Sequence, residues 1–132
     1  MGRRRTARAS LAAALALAEG PAGQRNRARA LAELGAIHLE QSRYDEALND
    51  LQAALAIYEQ LTDAMAISRT LGQIGDAYRR KGAYETALAH VEMALSVARG
   101  LDYRLGQVQL RLVLARIRME MGEVAPAEAL AA

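Results

Sequence analysis

A chain of 132 residues, 52% of them apolar, is long enough to bury a core of its own; Ala and Leu dominate the apolar set, Phe, Trp and Cys are absent, and Pro occurs twice, a helical composition. Without Cys there is no disulfide framework, no thiolate metal site and no thiol nucleophile. The formal net charge of +2 becomes −2 once Arg3, Arg4, Arg5 and Arg8 are set aside, so the body of the chain carries no broad basic footprint for nucleic acid.

Taken in order, the apolar spacing and the turn signals predict helices over about 6–19, 25–41, 44–61, 64–81, 84–99, 103–121 and 125–132, seven in a row. The start, MGRRRT followed by SLAAALALA, has the outline of a secretory signal and also fits the loose myristoylation pattern through Gly2 and Thr6. No apolar run reaches the ~20 residues of a membrane span. Breaks within helix pairs are expected at Ser42-Arg43, Lys81-Gly82-Ala83 and Gly122-Glu123, where Gly can adopt the left-handed conformation that ends a helix. Breaks between pairs are expected at Gly20-Pro21-Ala22-Gly23, Leu61-Thr62-Asp63 and Gly100-Leu101-Asp102, with Thr or Asp as N-caps. Pro126 falls in the first turn of the last helix, where its missing N–H costs little.

The strongest signal is internal repetition at an offset of 40. AIHLEQSRYDEALNDLQAALAIYE then lies over QIGDAYRRKGAYETALAHVEMALSVAR, with Tyr44 over Tyr84, Ala47 over Ala87, Leu48 over Leu88, Leu51 over Val91, Ala54 over Ala94, Leu55 over Leu95 and Ile57 over Val97. The same step reaches Leu114, Val124 and Ala127, and backwards Ala7, Leu11, Ala14, Leu15 and Leu17. The N-terminal Ala/Leu stretch therefore reads as the second helix of a preceding repeat, since a secretory signal has no reason to share the register of the domain behind it. The organisation expected is one domain over 1–132: a second helix and linker over 1–24, repeats over 25–63 and 64–103, and an incomplete repeat over 104–132.

Leu31, Leu34-Gly35, His38, Ala47, Leu51 and Ala54, then Leu71, Ile74-Gly75, Tyr78, Ala87, Val91 and Ala94, stand where the tetratricopeptide signature places its W-x2-L-G-x2-Y, A-x3-F and A residues. The third unit weakens to Arg111, Leu114-Ala115, Arg118 and Ala127. The chain resembles that family over nearly its whole length, in a form whose 40-residue period exceeds the usual ~34 and is similar to long-period units of bacterial regulators and kinesin-light-chain scaffolds. Trp and the terminal Pro of the signature are missing. Gly35, Gly75 and Ala115, with Ala47, Ala87 and Ala127 opposite, are the small residues expected where paired helices approach closely.

The resemblance implies an all-α, right-handed α-solenoid of stacked antiparallel helix pairs, with a concave wall lined by the first helix of each unit and used to hold a peptide or helix of a partner protein. Carried over residue by residue, that wall is Arg29, Ala32, Glu33, Ala36 and Glu40, then Arg69, Gly72, Gln73, Asp76, Arg79 and Arg80, then Gln109, Leu112, Arg116 and Met119. Ala32, Ala36 and Gly72 leave room, and the arginines offer forked donors to carboxylates, so an acidic or C-terminal peptide is the ligand expected. The alternative is a solvated face in which the arginines pair with Glu40, Asp76 and Glu120. A chaperone-tail clamp would need Lys and Asn where Ala32 and Ala36 stand.

No enzyme chemistry is expected. His38 and His90, the only histidines, have no second His or Cys at ligand spacing, so neither metal nor cofactor is expected. Ser10, Ser42, Ser68 and Ser96 lack a His-based activator, and Gly72-Gln73-Ile74-Gly75 follows no strand. The N-terminal arginines support non-specific anionic contact at most. The expectation is a bacterial, cytoplasmic protein–protein interaction scaffold, given 16 Arg against one Lys in an Ala-rich chain. The other reading is an effector-sensing or autoinhibitory module of a larger transcriptional regulator or signalling ATPase. Exposed ends such as Leu11, Leu15 and Leu130 allow homo-oligomerisation.

Overall fold

In the computed structural model, residues 20–124 are described and form five helices with no strand among them. These are α1 (Pro21–Glu40), α2 (Tyr44–Gln60), α3 (Ala64–Lys81), α4 (Tyr84–Gly100) and α5 (Arg104–Val124). The helices predicted over 6–19 and 125–132 lie outside the described residues, as does Ala127. Each helix packs on the next in sequence, and α3 also touches α5, so α1–α2 and α3–α4 are hairpins stacked side by side with α5 on the same side as α1 and α3. This is an α-solenoid.

The loops share one construction. Ser42, Thr62, Gly82 and Asp102 have φ of 62°, 50°, 89° and 54°, so the chain turns through the left-handed region at every twentieth residue. At the first loop the amide of Arg43 donates to the His38 carbonyl at 2.8 Å and that of Ser42 to Leu39 at 3.0 Å. Asp63 to Tyr58, Ala83 to Tyr78 and Tyr103 to Ala98 repeat the longer bond at 3.1, 2.9 and 2.9 Å. This paired arrangement satisfies carbonyls the helix end leaves open. Only one of the four positions is Gly. The Asp63 carboxylate then caps α3, accepting from the Ala66 amide at 3.2 Å.

Three boundaries differ from the sequence reading. The break expected over Gly20 to Gly23 narrows to Gly20, whose extended backbone precedes α1: the helix starts at Pro21, whose fixed φ suits the first helical position and whose missing N–H is one that position leaves unbonded. Gly122 does not end α5, which continues to Val124, because nothing there obliges a glycine to turn left-handed. Asp102 is itself the left-handed residue and caps nothing, Tyr103 preceding the first turn of α5.

The core runs along the hairpin seams. Leu39, Ala47, Leu48, Leu51, Ile74 and Ala77 join α1, α2 and α3, and Leu71, Ala87, Val91, Ala94, Leu95, Leu110, Leu114 and Ile117 join α3, α4 and α5. The small residues read from the repeat set the spacing. A Cβ on Gly35 would lie 2.9 Å from Leu51 Cγ, and one on Gly75 would lie 2.5 Å from Val91 Cγ2, each also 3.3 Å from the carbonyl of Ala47 or Ala87. Two buried hydroxyls donate to backbone, Ser68 to Ala94 at 2.8 Å across the hairpin and Thr70 to Ala66 at 2.7 Å within α3.

The packing aromatic of the signature also has its counterpart in each hairpin. His38 Nδ1 lies 2.6 Å from Asp50 Oδ2, with Glu46 Oε2 3.4 Å from Nε2. Forty residues on, Tyr78 and His90 occupy the same two places and stack with ring centroids 5.2 Å apart.

The left-handed loops generate a stability prediction. A β-branched residue at φ 50° costs about 1–2 kcal/mol, and glycine's extra freedom in the unfolded chain takes back about 0.4–1 kcal/mol. Thr62→Gly should therefore raise the urea unfolding free energy by about 0.5–1 kcal/mol, and Gly82→Ala should lower it by about 1 kcal/mol. Loss of stability in Thr62→Gly would contradict the strain argument.

Candidate functional site

Two adjoining cavities open on the face built by the first helices α1, α3 and α5. The larger, about 410 Å3, is lined from α1 by Ala36, Leu39 and Glu40, and from α3 by Ser68, Arg69, Gly72, Gln73, Asp76 and Arg80. Tyr103 and, from α5, Gly106, Gln109, Leu110, Val113 and Arg116 complete it. The second, about 370 Å3, lies between α1 and α3, lined by Arg29, Ala32, Glu33 and Ala36, by Tyr58 of α2, and by Arg69, Thr70 and Gln73. Ala36, Arg69 and Gln73 belong to both.

Of the fifteen residues carried onto the wall, twelve line these cavities: Arg29, Ala32 and Glu33 the second, Glu40, Gly72, Asp76, Arg80, Gln109 and Arg116 the first, and Ala36, Arg69 and Gln73 both. Gly72 has a packing reason for its size, since a Cβ there would come within 2.7 Å of Leu110 Cδ2. Arg79 lines neither cavity. Its Nε donates to Asp76 Oδ1 at 2.9 Å and its NH1 to Glu120 Oε1 at 2.7 Å, so it ties α3 to α5. Burial works against its charge, but the hydrogen bond and charge of Asp76, together with Glu120, outweigh it and hold the guanidinium above its ordinary pKa.

Arg80 shares the Asp76 carboxylate, donating from Nε to Oδ2 at 3.1 Å. The pairing of arginines with Asp76 and Glu120 thus accounts for Arg79 and Arg80 alone. Among the described residues Arg29, Arg69 and Arg116 make no ion pair, and all three are exposed. Leu112 and Met119, carried onto the wall by the resemblance, line neither cavity and stand 67% and 68% exposed. The sequence reading missed the floor of the larger cavity, Leu39, Ser68, Tyr103, Leu110 and Val113. Which residues border open space depends on how the helices cross.

Among the described residues no group of His, Asp and Glu is arranged to hold a metal ion, and no helix is long and apolar enough to cross a membrane.

Antiparallel helix pairs stacked at a forty-residue period, with small residues at each seam, define a helical-repeat protein. Residues 31–64 match the model of the SHNi-TPR family. Among solved structures the chain is similar to the crystal structure of the TPR domain of Arabidopsis FLU, with a TM-score of 0.71 at 18% identity over 75% of this chain and 83% of that one. No curated protein matches the chain. Residues 31–64 thus match a tetratricopeptide-repeat family model, and the chain shares the fold of a TPR domain.

The Arg79 bridge is testable. Its side chain is 11% exposed and that of Glu120 28%, so screening by water is reduced, and Glu120→Gln is expected to cost roughly 1 kcal/mol of unfolding free energy at low salt and less as salt rises. Equal stability of the variant and the parent at low salt would show that the bridge carries no weight.

Proposed function

We propose that the chain is a non-enzymatic scaffold that holds a peptide or helix of a partner protein against the face of α1, α3 and α5. The observation that supports this most is the continuity of the two cavities through Ala36, Arg69 and Gln73, which offers an elongated path across successive first helices rather than one enclosed hole. Arg29, Arg69 and Arg116 stand along that path without a carboxylate partner among the described residues. Forked guanidinium donors favour carboxylates, which makes an acidic segment the preferred ligand. The proposed setting is the cytoplasm, with no cofactor.

A second reading, an effector-sensing module within a larger regulator, draws on the size of the first cavity, which falls in the range of small-molecule sites. The readings separate by what binds. A small molecule raises the melting temperature without a polypeptide, and a scaffold retains a polypeptide that competes for the arginine face.

For the scaffold, replacing both Arg69 and Arg116 by Ala should weaken binding of acidic peptides about tenfold or more and flatten its salt dependence, read by fluorescence anisotropy. Equal affinity of the two proteins for such peptides would discard the acidic ligand.

A further inference from the structure

We infer that the outward face of α5 is a second docking surface, separate from the cavities, and that its occupant is an amphipathic helix of a partner protein whose apolar stripe is edged by Asp or Glu.

Leu105, Val108, Leu112, Ala115 and Met119 are all exposed and follow one another at steps of three, four, three and four residues. They include four of the nine large apolar side chains that stand exposed among the described residues, and they line neither cavity. On a helix that spacing gathers them into one stripe about 21 Å long. Register relates the stripe to an interface already present. Forty residues before Val108, Leu112, Ala115 and Met119 stand Ser68, Gly72, Gly75 and Arg79, which meet α4 or α5 through Ala94, Leu110, Val91 and Glu120. A face that two helices cover on α3 is uncovered on α5 among the described residues.

The width and the charged edge of the stripe define what fits it. Strictly alternating threes and fours give the narrow seam of paired helices, whereas a helix that lies on a lipid surface presents a broader apolar face rich in Trp, Phe and Leu. The residues immediately before Leu105, Leu112 and Met119 are Arg104, Arg111 and Arg118, all exposed. Arg104 lies 3.7 Å from Asp102 in a pair open to water, and Arg111 and Arg118 make no ion pair among the described residues.

That row of arginines disfavours a second copy. Laid antiparallel, two α5 helices would bring the rows together, and laid parallel they would set Arg111 against Arg116. A further unit stacked as α5 stacks on α3 would meet the Leu112 side chain where α5 approaches Gly72, a place in which even a Cβ would come within 2.7 Å of Leu110. Residues 125–132 carry one large apolar side chain, Leu130, and one carboxylate, Glu128. A helix with acidic residues beside its own apolar seam meets none of these conflicts, since its carboxylates face the arginine row. Because α5 is already held by α3 and α4, the partner helix alone loses freedom on docking.

The test is fluorescence anisotropy on the full chain with two synthetic peptides of about twenty residues, long enough to form a helix. Both carry a Leu seam at the same spacing, and they differ in having Glu or Lys at the flanking positions. The Glu peptide should bind at least about tenfold more tightly than the Lys peptide. Leu112→Asp should remove that binding, Arg111→Glu with Arg118→Glu should reverse the preference, and Arg69→Ala, in the groove, should leave it unchanged. The three α5 positions are exposed, and circular dichroism verifies the fold of each variant. Equal affinity for the two peptides, or binding lost in Arg69→Ala and kept in Leu112→Asp, would overturn the proposal. So would a dimer of the parent chain in sedimentation that Leu112→Asp dissolves, a lowered melting temperature of that variant, or flotation with phosphatidylserine vesicles that it abolishes. Those outcomes assign the face to a second copy, to this chain itself and to a lipid surface in turn.

Discussion

Each of the first four helices is followed within two residues by one held in the left-handed backbone region, and these residues stand twenty apart, at 42, 62, 82 and 102. That spacing makes every helix with its loop the same length, so two of them return the chain to an equivalent place after forty residues. Antiparallel partners of equal length can then keep one seam in register from end to end. Gly35 meets Leu51 and Gly75 meets Val91 because of it, and the first helices all fall on one side. Three of the four turns place a non-glycine residue at positive φ, a local cost of about 1–2 kcal/mol each. It is offset by the carbonyls the turn satisfies and by the Ala and Leu seam that only this turn allows to close.

With geometry repeated so closely, differences in chemistry between units stand out. His38 with Asp50 and Tyr78 with His90 fill one structural position with a polar pair in the first hairpin and a stacked pair in the second. Both members differ between the hairpins, an imidazole with a carboxylate in one and a phenol ring with an imidazole in the other. Asp76, Arg79 and Glu120 against Ala36, Leu39 and Arg80 show the same thing at the junctions between units. The repeat constrains where side chains meet and leaves open what they are.

The sequence made the helix starts at 44, 64 and 84 legible, because short breaks and apolar periodicity agree there. It was less informative where a residue type permits two conformations. Pro21 ends one helix pattern as readily as it begins another, and Gly122 can turn or continue. The wall residues Arg29, Arg69 and Arg116 were reached only through the resemblance, which places the inner wall on the first helices, and all three border the cavities. The bond from Arg79 to Glu120 spans 41 residues and no local pattern encodes it. Leu112 and Met119 show the limit of carrying positions over. Their counterparts forty residues earlier, Gly72 and Arg79, meet α5, whereas Leu112 and Met119 are exposed among the described residues.

In a linear array each unit touches only its neighbours, so the spacing of the first helices is inherited from the packing behind them. Between α1 and α3 that packing is supplied by α2, through Leu48, Leu51 and Ala47 against Leu39, Ile74 and Ala77. The faces of α1 and α3 that border the cavities carry little of it: Ala36, Arg29 and Arg69 are exposed and make no contact on which the seam depends. Substitution on that face therefore changes what the cavity can hold without disturbing the seam, while substitution at Gly35, Leu51 or Gly75 alters the fold without touching the cavity walls. Separation of this kind, with seam residues on one face of a first helix and exposed residues on another, allows one repeat geometry to present different chemistries at successive junctions.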